Sequence, residues 1–292
     1  MGRRDMPLME GQFKVRDLIM GPGTRYEILR GTNPFQRNVR ADQGGARAWN
    51  HGSWSGVEWA AEVVVPMTIR VRGASSDVAS WLAAHQTLTA AFAPVGESAA
   101  DAELRFMLGG TEFLMRGRPR MVEPDLTLIN SGKSITQAAF VALDPFIYAG
   151  TETVAGPTGL PTFSGGLTVP VTAPFTVSGV LASGFLNLTN TGTAETPLSI
   201  RIDGPVQEPS VTLQRTDGIT QALRFGFDLE TGQWLDIDTG ARTVMLNGAS
   251  SRRGQTAGDF PILPAGTHVL QFRAGEYNPT ATVTVRFRSA WW

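Results

Sequence analysis

Apolar and polar positions alternate with a period of two through most of this chain, the pattern of strands with one face in a core and one in solvent. In Val63–Arg72, Met67, Ile69 and Val71 alternate with Thr68, Arg70 and Arg72, which predicts a half-buried strand. Leu104–Leu108 and Thr111–Arg116 flank Gly109-Gly110. Two glycines supply the positive φ that a two-residue hairpin turn requires, so this is the strongest short-range hairpin signal in the chain. Short strands are also expected at Gln12–Val15 and Tyr26–Leu29 around the Gly21-Pro22-Gly23 turn, and at Ile135–Leu143. The second half repeats the pattern at Phe175–Val180, Gly184–Leu188, Leu198–Ile202, Val211–Leu213 and Leu223–Leu229. It continues through Gln233–Asp238, Thr243–Gly248, Phe260–Leu263, His268–Phe272 and Ala281–Arg288. Many short strands with Gly- and Pro-containing turns argue for a sandwich or jelly roll.

Two stretches break the alternation. Val78, Trp81, Leu82, His85, Leu88 and Phe92 fall at helical spacing. Ser75 or Ser76 is expected to cap this helix, with Asp77 in its first turn and Pro94 ending it, and the stripe is expected to lie on a sheet. From Gly31 to Ala60 regular patterning disappears. The segment carries Arg37, Arg40 and Arg47, the Gly44-Gly45 pair, and Trp49, Trp54 and Trp59 around His51. A loop of that length is uncommon inside a compact domain and is usually functional or held by a partner. Its tryptophans either fold back on their own core or form an arm that packs on a neighbouring copy, a role that suits aromatic and Arg side chains.

Length and composition narrow the classes. A chain of 292 residues suggests two domains. The Gly- and Pro-rich stretch 149–174 is the expected connection, leaving 1–148 and 175–292 as the domains. A net charge of −1 gives no field that would draw the chain to nucleic acid or an anionic membrane. Charged residues make up 17%, below the ~25% of average domains, which fits a surface covered by partners as well as it fits a plain all-β fold. With no cysteine, disulfides, thiolate zinc sites and thiol catalysis are excluded. No apolar run has the ~20 residues of a membrane span, and no signal-peptide pattern opens the chain, so a soluble protein is expected.

Candidate chemistry is sparse. Asp236 and Asp238 share one face of a strand, a spacing compatible with a cation site, a glycosidase pair or an ordinary solvated face. His51, His85 and His268 lie far apart and form no ligand or triad motif. Arg252-Arg253 sits in a Gly-flanked loop, and Asn187-Leu188-Thr189 matches a glycosylation pattern that has no use without secretion. No catalytic residue, metal or cofactor is expected, and the chain is not expected to be an enzyme.

Three ordered blocks carry a resemblance. They are Asp236-x-Asp238-Thr239-x-x-Arg242-Thr243-Val244-x-Leu246-Asn247-Gly248, Leu263-Pro264-Ala265-Gly266-Thr267-His268-x-Leu270, and Arg288-Ser289-Ala290-Trp291-Trp292. In these the chain resembles the distal-tail (Dit-like) minor tail proteins of long, non-contractile-tailed phages of actinobacteria. His51-Gly52-Ser53-Trp54-Ser55-Gly56-Val57-Glu58 extends a looser similarity into the first half. The resemblance implies a mainly β protein: a tail-tube-like N-terminal β-sandwich with one packed helix, then a jelly roll similar to galectins and carbohydrate-binding modules. It implies a virion component at the distal end of the tail, assembled in the host cytoplasm. Its copies would form a ring, commonly of six, between tail tube and tail-tip hub, supporting other minor tail or receptor-binding proteins, with the genome passing through the lumen unread. Arg40, Arg47, Trp49, His51, Trp54 and Trp59 are then the candidate contacts between copies. The alternative is a tail protein that grips host cell-wall glycan through its second domain, with Trp234 as the first candidate contact.

Overall fold

The computed structural model describes residues 7–29, 32–94, 96, 100–164, 180–182 and 184–292. The chain divides into two compact units, residues 1–150 together with Trp292, and Thr151–Trp291.

The first unit is built on one antiparallel sheet. Its strands follow the spatial order Leu18–Met20, Phe13–Val15, Ala102–Leu108, Thr111–Asp125, Lys133–Ala142, Val63–Arg72 and Tyr26–Ile28. The two ends of that path are successive in sequence and joined by a tight turn, in which the Gly21 N–H donates to the Tyr26 carbonyl at 2.7 Å. The sheet therefore curls until its edges are neighbours, so little unpaired edge is offered to other chains. Part of the bend comes from the 15-residue strand Thr111–Asp125, whose register against Lys133–Ala142 shifts between Pro119 and Met121. Arg120 is the extra residue of a bulge there, beside a proline that has no N–H to pair.

Alternation decides which face is inside. Val63, Val65, Met67, Ile69 and Val71 are fully buried, together with Leu104, Phe106, Met115 and Phe140 from neighbouring strands. The expected helix forms over Val78–Ala91 but turns differently from the predicted stripe. Trp81, Ala84, Leu88 and Ala91 are its buried residues, whereas Val78 and Leu82 are exposed. Two alanines let the helix lie close to the sheet, and two side-chain bonds fix its rotation. The Trp81 indole donates to Ser134 Oγ at 2.9 Å and the Tyr26 hydroxyl to the Ala84 carbonyl at 3.0 Å.

The cap is Asp77, not Ser75 or Ser76: its carboxylate accepts the Ser80 N–H at 2.8 Å. The Ser75 hydroxyl and then that N–H hold the Asp77 carboxyl below its usual range. A depressed folded-state value means the contribution is present above the ordinary carboxylate range and is lost as pH falls through the folded value. Asparagine caps helices as well as aspartate but does not titrate. Asp77→Asn should therefore leave the melting temperature nearly unchanged at neutral pH. In a calorimetric series taken into acid, the wild type should lose stability faster than the variant.

The second unit is a pair of facing antiparallel sheets. One runs Thr153–Gly159, Thr282–Phe287, Ser199–Asp203, Trp234–Asp238, Thr243–Leu246 and Ser250–Ser251. The other runs Phe185–Asn190, Gly266–Arg273, Ser210–Gln214, Thr220–Phe225 and Thr256–Gly258. Ile200, Ile202, Leu235, Ile237, Val283 and Val285 point in from the first, and Leu188, Val211, Leu213, Phe225, Leu270 and Phe272 from the second. Intervening residues face out, which is the period-two pattern of the sequence made physical. The stretch read as a connection, 149–174, is not a plain spacer where it is described. Thr153–Gly159 pairs with Thr282–Phe287 as an edge strand, a position that tolerates its proline. Most of the expected strand Phe175–Val180 lies outside the described residues.

Candidate interaction arm

The segment without periodicity is not irregular. Val39–Asp42 pairs with Val57–Ala60, and Gly45–Ala46 pairs with Ser53–Trp54, giving a two-stranded arm closed by a turn in which Arg47 N–H donates to the Gly52 carbonyl at 3.1 Å. Sequence alternation fails here because neither face of the arm has a core to meet. Among its described residues none is buried. Trp49 at the tip is 100% exposed, Trp54 65% and Trp59 56%, with Val39 and Val57 also open to solvent.

The arm's remaining candidates lie beside these rings. Arg40 stands across the ladder from Trp59. The Arg47 guanidinium lies 4.8 Å from the Trp54 ring centroid, a cation–π contact at one end of the arm. Arg40 meets Asp42 at 3.3 Å, but both are exposed, so this pair contributes little. His51 is exposed in the closing turn. Gly56 leaves no room for a side chain between the strands: a Cβ there would sit 1.9 Å from the Asp42 carbonyl oxygen and 2.5 Å from the Gly44 nitrogen. Gly56→Ala should open the arm without touching the core. Faster hydrogen exchange at Asp42 and Val57, with an unchanged melting temperature, is the expected result.

The arm's root is anchored. Phe35 meets Phe106 edge-on at 5.8 Å and Phe113 at 6.2 Å, while Phe106 stacks with Phe13 at 5.6 Å. Gln36 donates to the Val64 carbonyl, and Arg37 to that of Gln36 at 2.6 Å. The rest of the Arg37 guanidinium, Nε and Nη2, is buried with no partner among the described residues, and burial lowers its pKa. A two-stranded ribbon projecting from such a root is marginally stable in water. Covering its indoles would offset that.

Several other sequence candidates make contacts within their own unit. Asp236 accepts the Trp234 indole N–H at 2.9 Å, and Asp238 accepts the Gly240 and Ala241 amides, each at 2.9 Å, closing a turn. The Arg201 guanidinium lies 4.7 Å from the Trp234 ring centroid and covers one face of it. His268 is buried, with Nδ1 accepting the Thr216 N–H at 3.2 Å and Nε2 facing the Ala265 carbonyl at 3.1 Å. Arg253 packs over Phe260, 4.7 Å from the centroid. His85 stacks on Trp81 at 5.0 Å, and burial lowers its pKa. No helix among the described residues is long and apolar enough to cross a membrane.

Residues 191–291 match the family model of the siphovirus-type tail component, C-terminal domain. No curated protein matches the sequence. Among solved structures, SPP1 Dit, described as a paradigm of the hub adsorption apparatus in phages infecting Gram-positive hosts, aligns with a TM-score of 0.57 at 13% identity. That alignment covers 96% of this chain and 94% of the other. The phage P2 baseplate, in its activated conformation with Ca, aligns with a TM-score of 0.54 at 12% identity, covering 94% of this chain and 97% of that one.

Proposed function

We infer that this chain, a Dit-like component of the distal end of a siphovirus-type phage tail, is an architectural subunit whose copies close into a ring through the tryptophan arm. The observation that carries this reading is the arm itself: three indoles held in solvent by a unit whose own core is already complete. At ~25 cal/mol per Å² over ~200 Å² of indole, covering one such ring is worth at most about 5 kcal/mol. An arm on one surface meeting a different surface of the next copy is a head-to-tail contact, and such contacts end in a ring when the rotation closes. Sheet edges give no such drive, because the first unit's sheet already brings its own edges together.

The ring, of six copies by the family resemblance, continues the tail tube above and seats the tail-tip hub below, and the second units carry peripheral or receptor-binding proteins. Tail DNA passes through the lumen without being read, consistent with a net charge of −1. The protein is not an enzyme in this reading, since Asp236 and Asp238 hold an indole and a turn. Native mass spectrometry of the full chain over a rising concentration series tests the proposal. One discrete closed oligomer that grows at the expense of monomer is expected. An unlimited ladder of masses, or monomer alone at the highest concentration, would refute it.

A further inference from the structure

Taking the ring reading as its basis, we propose that the outer sheet face at the arm's root is the seat that receives the neighbouring copy's arm. Three strands of the first unit lie side by side there, Val63–Arg72, Lys133–Ala142 and Thr111–Asp125. The face they turn away from the core changes character along its length. At one end Thr68, Gln137 and Glu123 form a row, with Arg72 and Lys133 beyond it, the polar set expected where a sheet meets water. At the other end Val64 stands opposite Val141, and Pro66 and Met121 flank Ala139. Leu143, whose N–H donates to the Arg116 carbonyl, continues the same side past Val141. Val64, Met121 and Leu143 are 38%, 42% and 40% exposed. An apolar patch on an otherwise polar sheet face marks an interaction surface.

Position and size select the arm of another copy as its cover. Within one chain the arm's indoles and this patch are both open to solvent, so neither covers the other. The arm's second strand ends at Ala60 and the strand carrying Val64 begins at Val63, so each copy presents its arm beside its seat. Apolar surface then runs on from copy to copy around a ring. The three indoles leave about 440 Å² open, the scale of the largest apolar patch on an ordinary monomer. That is about half of the ~800 Å² each partner gives to a stable interface, so the surfaces around the seat supply the rest.

Charge points the same way. Gln36 donates to the Val64 carbonyl, and beside it Arg37 uses only Nη1, on the Pro34 and Gln36 carbonyls. Its Nε and Nη2 are buried with no partner among the described residues. A guanidinium kept from water without a counter-charge is costly, and this edge is the fork that grips a carboxylate. Arg37 as a whole is half-buried, so a turn of its long side chain presents the fork. The arm carries a carboxylate on the face it needs. Asp42 stands opposite Val57 and Arg40 opposite Trp59, so Asp42 shares a ribbon face with Val57 and Trp59. Its exposed 3.3 Å pair with Arg40 is weak and readily exchanged. On docking, Val57 and Trp59 cover the patch and Asp42 passes to the neighbour's Arg37.

Single-thiol forms of the full chain test the seat. Val57→Cys, carrying a mass tag, is mixed with Met121→Cys at a concentration where wild type assembles, then mildly oxidised. Disulfides from position 57 to position 121 are expected to outnumber like-to-like ones at least about tenfold. In sedimentation, Met121→Lys, Arg37→Gln and Asp42→Asn should each weaken assembly about tenfold or more, with melting temperatures no lower than wild type. Arg37→Gln with Asp42→Asn should be no weaker than either alone, because the two groups act as one pair. Like-to-like or random cross-links, or Met121→Lys and Arg37→Gln chains that assemble as wild type, would overturn the seat and leave the ring standing. Fully additive losses would overturn the Arg37–Asp42 pair, and a wild type that stays monomeric would overturn seat and ring together. If Met121→Lys melts early, the cross-links alone decide.

Discussion

Replacing Trp49, Trp54 and Trp59 together with serine is expected to leave a folded monomer that no longer assembles. The rings touch no core, so the melting temperature should match wild type to within the small changes typical of surface substitutions, about 0.5 kcal/mol each. Assembly should suffer far more. Trp49 is 100% exposed, Trp54 65% and Trp59 56%, so covering what the three indoles still show gives an upper bound of about 11 kcal/mol per contact, and ordering and association costs absorb much of it. A surplus of only about 4 kcal/mol still shifts the dissociation constant ~10³-fold. Sedimentation velocity should therefore show monomer where wild type shows the closed oligomer. Trp49 alone should account for a large share, because it is wholly exposed at the tip while the Trp54 face is partly covered by Arg47. A large fall in melting temperature would instead mean that the rings serve their own chain's core.

The second large effect concerns the arm's root. Phe106 is almost fully buried and stacks with Phe13 at 5.6 Å and Phe113 at 5.5 Å, while Phe35 meets its edge at 5.8 Å. Phe106→Ala removes the centre of this cluster, and truncation of a buried phenylalanine costs roughly 3–5 kcal/mol. Chemical denaturation should show a loss of that size. Hydrogen exchange should place it in the first unit and include the 32–38 segment, since Phe35 loses its main contact. Peptides of the second unit, which has a separate core, should exchange as in wild type. A loss below about 1 kcal/mol would mean that the cluster relaxes around the gap and anchors little.

The strands of both units were legible because each has one wet and one dry side, which writes a period of two into Val63–Arg72 or Trp234–Asp238. The Gly109-Gly110 turn was legible for a different reason: both residues adopt positive φ, 60° and 72°, where glycine alone is comfortable. Spacing could not settle the helix's rotation, because Ala84 and Ala91 are weak apolar signals beside Leu82, although small residues at the contact are what bring the helix close. The arm escaped for a deeper reason: its strands have no buried side within the chain, so nothing in the residue order distinguishes ribbon from coil. Of the candidate residues, the sequence supplied the arm's tryptophans and arginines. Val64, Met121 and Val141 could not be linked before the fold laid three separate strands side by side.

The absence of cysteine permits one direct test of how the arm is used. Ala48→Cys places a unique thiol beside Trp49, to which a benzophenone photocrosslinker can be attached. Assembling an equal mixture of isotopically light and heavy chains and irradiating it separates bonds between copies from bonds within one. The account predicts that most cross-links from position 48 are light–heavy or their like-labelled equivalents between copies, landing on one surface of the neighbouring first unit. Cross-links confined to the same chain in assembled material would contradict it.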